Sequence, residues 1–162
     1  MNEEPNGYVV ASYAVDDLSA DERARCLRLI TDGAAVNAAI AARDFPRSAT
    51  IAIARKGDET VGVASIKPIR EDYAAGRAKK ADFPFDSQTP ELGYVVVDPS
   101  HRGNRLSSRM TEALAKDGAS LFATTSDPRM KSALKGAGFA QRGIEWRGRR
   151  GDLISLWIRP RA

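Results

Sequence analysis

The sequence predicts an α/β domain in which a mixed, mostly antiparallel sheet of about seven strands carries helices on both faces. Three observations lead to it. Short β-branched runs alternate along the chain with segments whose apolar residues recur at helical spacing. The elements follow in the order β-αα-ββ-β-α-β-α-ββ, interrupted once, at residues 67–90. No linker, repeat or low-complexity stretch divides the 162 residues, so 1–162 reads as one domain, long enough to bury a core without disulfides or a structural metal.

Tyr8 to Ala14 alternates weakly and reads as the first strand. Ser19-Ala20-Asp21-Glu22 has the spacing of a capping box, in which the Ser19 hydroxyl accepts a backbone N–H and Glu22 reaches back. Cys26, Leu29 and Ile30 follow at helical spacing. Val36, Ala39 and Ile40 repeat it beyond Gly33, giving two short helices or one bent at the glycine. Residues 49–54 and 60–66 read as strands joined by the turn Lys56-Gly57-Asp58-Glu59. Residues 67–90 hold Pro68, Pro84 and Pro90, a charged stretch and the aromatics Tyr73, Phe83 and Phe85. This insert reads as a surface excursion with one helix, either a substrate lid or packing for the edge of the core.

Residues 91–97 form the strongest strand, stopped by Asp98-Pro99-Ser100. A helix from near Asn104 to Gly118 places Leu106, Met110, Ala113 and Leu114 on one face. Residues 121–125 are a strand. Pro128 opens a helix with Met130, Ala133, Leu134 and Ala137 inward, and Gly138 suits its left-handed cap. Residues 139–146 and 153–158 close the sheet as two strands around Arg147-Gly148-Arg149-Arg150-Gly151.

Composition excludes several classes. Hydrophobic residues at 43% and charged residues at 28% belong to a globular chain. No apolar run approaches the ~20 residues of a membrane span, and the acidic start Met1-Asn2-Glu3-Glu4-Pro5 does not resemble a secretory leader. One cysteine, Cys26, and one histidine, His101, leave no internal disulfide and no His/Cys metal site, and favour the reducing cytoplasm. A net charge of +4 biases the surface towards anions. Much of the excess sits late, at Arg142, Arg147, Arg149, Arg150, Arg159 and Arg161, as a solvated rim or a partner patch.

The chemistry concentrates in Val95-Val96-Val97-Asp98-Pro99-Ser100-His101-Arg102-Gly103-Asn104-Arg105-Leu106-Ser107, where a strand runs through a tight turn into a helix. A helix start leaves about four N–H groups unpaired and carries partial positive charge, which suits a pyrophosphate. Gly103 lets backbone approach the ligand, Arg102 and Arg105 add charge, and Ser107 adds a hydroxyl. The spacings of a P-loop and of a Rossmann turn are both absent.

From Glu91 to Phe139 the chain resembles the GNAT acetyltransferase superfamily: a strand ending in Val97-Asp98-Pro99, the turn Arg102-Gly103-Asn104-Arg105-Leu106-Ser107 opening a helix, and a later helix ending in Gly138-Phe139. Arg105 and Ser107 stand where the family usually has small residues. The resemblance implies acetyl-CoA as cosubstrate, its pyrophosphate on residues 102–107 and its pantetheine arm along Val95, Val96 and Val97. It also implies a general base at Glu91, which as a bare residue could equally be the solvated start of a strand. The family's tyrosine acid falls on Leu134, whose helical register says core. Either the thiolate leaves unassisted or a hydroxyl such as Tyr73, Tyr94 or Ser126 serves instead. Asp127 either contacts the cofactor or caps the helix at Pro128. His101 reads as an exposed structural residue, Cys26 as core, and Trp146 and Trp157 as sheet packing.

The implied function is N-acetyl transfer from acetyl-CoA to a primary amine, with the acceptor unidentified and monomer and homodimer both open. The competing classes are a CoA-binding regulatory module without turnover and a basic nucleic-acid-binding domain, the latter without a reading motif.

Overall fold

A computed structural model describes residues 7–33 and 37–161. Among these, seven strands form two antiparallel sheets. The first holds β1 (Tyr8–Tyr13), β2 (Thr50–Lys56), β3 (Glu59–Ile66) and β4 (Leu92–Val97), in that spatial order. The second holds β5 (Leu121–Thr125), β7 (Leu153–Arg159) and β6 (Ala140–Arg147), with β7 central. A single parallel bridge, Glu91 to Phe122, joins the sheets where β4 and β5 begin, and the Phe122 N–H donates to the Pro90 carbonyl at 3.1 Å. Beyond it the two strands part.

Helices cover both faces. α1 (Ala20–Gly33) and α2 (Ala38–Asp44) bury Cys26, Leu29, Ile30 and Ala41 against Ile51, Ile53, Val63 and Val96. α4 (Leu106–Ala115) and α5 (Pro128–Gly136) bury Leu106, Met110, Leu114 and Leu134 against Ala52, Val61, Leu92 and Val97. α3 (Glu71–Ala81) arises from the insert. With Tyr73, Phe83 and Phe85 it packs on Phe122, Leu156 and Trp146 of the second sheet.

Several local expectations change. The Ser19 hydroxyl accepts the Glu22 N–H at 3.1 Å, but the Glu22 carboxylate pairs with Arg55 rather than returning to the cap. Val36 lies outside the described residues. Ala39 and Ile40 face solvent, because α2 starts afresh at the Asn37 cap and its seven residues turn Ala41 and Asp44 inward instead. α4 begins at Leu106, two residues later than Asn104, since Gly103 and Arg105 adopt positive φ and cannot join a helix. Among the described residues no helix is long and apolar enough to cross a membrane.

Candidate active site

The turn after β4 is held from three sides. The Asp98 carboxylate accepts the Ser100 N–H at 2.9 Å and lies 3.4 Å from Arg25 of α1. The backbone N–H bond at Ser100 comes first among the contacts that hold the Asp98 carboxyl below its ordinary range. Tyr8 Oη sits 2.9 Å from His101 Nδ1, and the Asn104 amide donates to Tyr8 Oη at 3.2 Å and to the His101 carbonyl at 3.0 Å. His101 is therefore half-buried rather than exposed. No side chain caps the start of α4, which leaves its first N–H groups without a side-chain partner. Gly103, at φ 87°, has open space where a Cβ would stand.

A cleft of about 730 Å³ opens in front of that helix start, between the diverging β4 and β5. Val95, Val96 and Val97 line one wall, with Arg102, Gly103, Arg105, Leu106 and Ser107 at its end. Asn104 is the exception, its amide being spent on Tyr8 and His101. Thr124, Thr125, Ser126 and Asp127 form the opposite wall. Asp127 acts as a cap, accepting the Arg129 N–H at 2.9 Å. β4 pairs with β3 on one side only, so its other edge presents unpaired backbone groups to the cleft. Within β4, Tyr94 and Val95 together oppose Ala64 in a bulge, with Tyr94 at φ 51°.

Glu91 does not line this cleft. It is 8% exposed, which removes the reading as a solvated strand start. Lys67 Nζ lies 3.1 Å from its Oε1, a charge pair outside hydrogen-bond geometry, and that oxygen has no other partner. The same ammonium stands 4.3 Å from the centre of the Tyr94 ring. Burial pushes the Tyr94 phenol up, and the nearby carboxylates of Asp44 and Glu91 add to it. Tyr73, also raised by burial and then by Glu91, is flanked by Arg70 and Arg77 at 4.6 Å and 4.9 Å. Asp44 is buried beside Arg43, whose hydrogen bond is the first cause of its depressed pKa, with Arg70 at 3.9 Å. Leu134 is fully buried in the core.

Lys67, Asp44, Arg70 and Arg77 escape a motif reading. A signal for Lys67 exists, however: it directly follows the apolar β3, and its N–H donates to the Glu91 carbonyl at 2.8 Å, so strand register alone brings the two side chains together.

Comparison with known proteins fits this geometry. No curated protein sequence matches the chain at a significant level. Solved structures do. An acetyltransferase of the GNAT family from Streptococcus agalactiae superposes with a TM-score of 0.68 at 10% identity, covering 99% of each chain. The ribosomal-protein-S18-alanine N-acetyltransferase of Escherichia coli gives 0.63 at 12% identity, over 96% of this chain and 94% of that one. The NatC complex bound to Gag peptide and CoA gives 0.65 at 14%, over 94% and 98%. At such identities the likeness is one of fold. The model of the acetyltransferase (GNAT) family matches residues 14–139, most of the chain and all of the β4–turn–α4 unit, and the protein belongs to that family.

Proposed function

We propose that this protein transfers an acetyl group from acetyl-CoA to a primary amine by direct transfer, with both substrates held at the cleft. The observation that carries the reading is the joint exposure, to one cleft, of the uncapped start of α4 and the unpaired edge of β4. The open space at Gly103 fits a phosphate drawn close to backbone N–H groups. Arg102 and Arg105 supply charge, Ser107 a hydroxyl, and residues 95–97 an edge for the amide-bearing arm to extend as an added strand. Acetyl-CoA supplies the activated acyl group. Asn104 keeps the turn in shape.

An alkylamine is mostly protonated near neutral pH, so transfer needs a proton acceptor. Glu91 is our candidate, reached through water, since it lies at the root of the splay but outside the cleft lining. Tyr94, which does line the cleft, is the candidate to protonate the departing thiolate, because its buried phenol holds its proton. The fully buried Leu134 favours a second reading, a CoA-binding module without turnover, because the usual acid position is closed to the cleft.

Acetyl-CoA binding and amine turnover separate these readings. Acetyl-CoA should raise the melting temperature of the wild-type protein. Gly103→Glu, which puts bulk and negative charge in the open space, should abolish the rise. An equal rise in the variant would remove the phosphate assignment, and stabilisation without acetylation of any amine would leave the module reading.

A further inference from the structure

On the α1–α3 side of the sheets four cations gather, Arg43, Lys67, Arg70 and Arg77, against two carboxylates, Asp44 and Glu91. Both carboxylates are already paired, Asp44 with Arg43 at 2.8 Å and Glu91 with Lys67 at 3.1 Å. Arg70 reaches Asp44 only at 3.9 Å, and Arg77 makes no hydrogen bond or ion pair with any described residue. Yet the Arg77 Nε is buried, and buried donors without partners are rare in folded proteins. Its guanidinium is held between aromatic faces, 4.9 Å from the Tyr73 ring and 5.9 Å from Trp146. The buried Nε is closed to a ligand, but the two Nη groups are neither buried nor bonded to a described residue, and a paired set of N–H donors is what meets a carboxylate with two bonds.

Arg77 does not itself line the cleft, but the aromatics that hold it are linked to residues that do. Trp146 is paired across the sheet with Ile154, and Tyr73 packs on Phe122, two residues before Thr124; Ile154 and Thr124 both line the cleft. We propose that Arg77, assisted by Arg70, which also lies over the Tyr73 ring, binds a carboxylate of the acceptor. The amine acetylated would then belong to an amino acid or a similar amino carboxylate. The proposal rests on the N-acetyltransferase reading for the amine, while the carboxylate site stands on the unpaired Arg77 guanidinium and its aromatic partners.

The test uses matched pairs, amino acids against their amides and against the decarboxylated amines, with several spacings between amine and carboxylate. Binding is followed by the fluorescence of Trp146, with Trp146→Phe as the blank for Trp157, and transfer by CoA release. The acid of the best pair should exceed its amide by about 10–100-fold in affinity and in kcat/KM, the range of a hydrogen-bonded charge. Arg77→Gln should erase that preference through KM with kcat nearly unchanged, and Arg77→Lys should restore part of it. Acid and amide bound and used alike, or a preference that survives Arg77→Gln, would overturn the proposal. Arg77-dependent binding of the acid without transfer would keep the site and reject the acetyltransferase reading. Transfer without the preference would do the reverse.

Discussion

A Cβ on Gly93 would meet Lys67 Cε at 2.5 Å, so the missing side chain is what lets Lys67 lie across β4 to reach Glu91 and the Tyr94 ring. The pair sets what Glu91 can do. The ammonium at its shoulder, 3.1 Å from Oε1, holds the carboxylate in place beside the strand. Glu91→Gln should lower turnover by about 10²–10⁴-fold, and the loss should shrink as pH rises and free amine accumulates. Steady-state kinetics across pH measure this; identical profiles would leave Glu91 as the partner that Lys67 needs for burial. The position of Glu91 is legible from its spacing to the turn at Arg102. Its partner is not, because ion pairing depends on strand register and on a glycine whose role is only to leave room.

At the scale of elements, α3 shows what a sequence conceals. The stop at Pro68 and the charged run announce an insert with a helix, but nothing in residues 71–81 says which surface receives it. The answer lies sixty residues later, at Gly143. This residue has φ 71°, and a Cβ there would meet the Ala81 carbonyl oxygen at 2.1 Å and Phe83 Cβ at 2.9 Å. The end of α3 therefore docks on bare backbone, where β6 shifts register between Arg142 and Trp146. Gly143→Ala imposes both backbone strain and a clash with a carbonyl that cannot yield, so it should cost about 2–4 kcal/mol. Chemical denaturation should show a lower midpoint at unchanged slope. The helices α4 and α5 are easier to read, since apolar stripes at 106, 110 and 114 and at 130, 134 and 137 face one core. α2 is present as the pattern predicts, but its inward face differs, because the Asn37 cap restarts a helical phase that a pattern count carries through.

For the molecule as a whole, two carboxylates tie separate layers together. Asp44 links the end of α2 to Arg70 ahead of α3, and Asp98 links the turn after β4 to Arg25 of α1. Both have folded-state pKa values below the ordinary range, Asp44 through its bond from Arg43 and Asp98 through the Ser100 N–H. A depressed pKa stabilises the fold above the unfolded value, near pH 4, and that stability is lost as pH falls through the lower folded value. Asp44→Asn should reduce stability near neutrality and flatten its decline in acid; melts from neutral pH down to about pH 3 would show it, and parallel curves for both proteins would contradict it. The division into two sheets was not legible, because strand patterns carry no mark of where neighbours part. One feature of that division reaches beyond the site. β6 is the outer strand of its sheet, and residues 141–145 are exposed, with Arg142 and Glu145 on either side of the kink at Gly143. The bend and the charges of Arg142 and Glu145 interrupt this border on either side of the exposed Ile144, so a neighbouring polypeptide meets no flat, continuous edge to pair with.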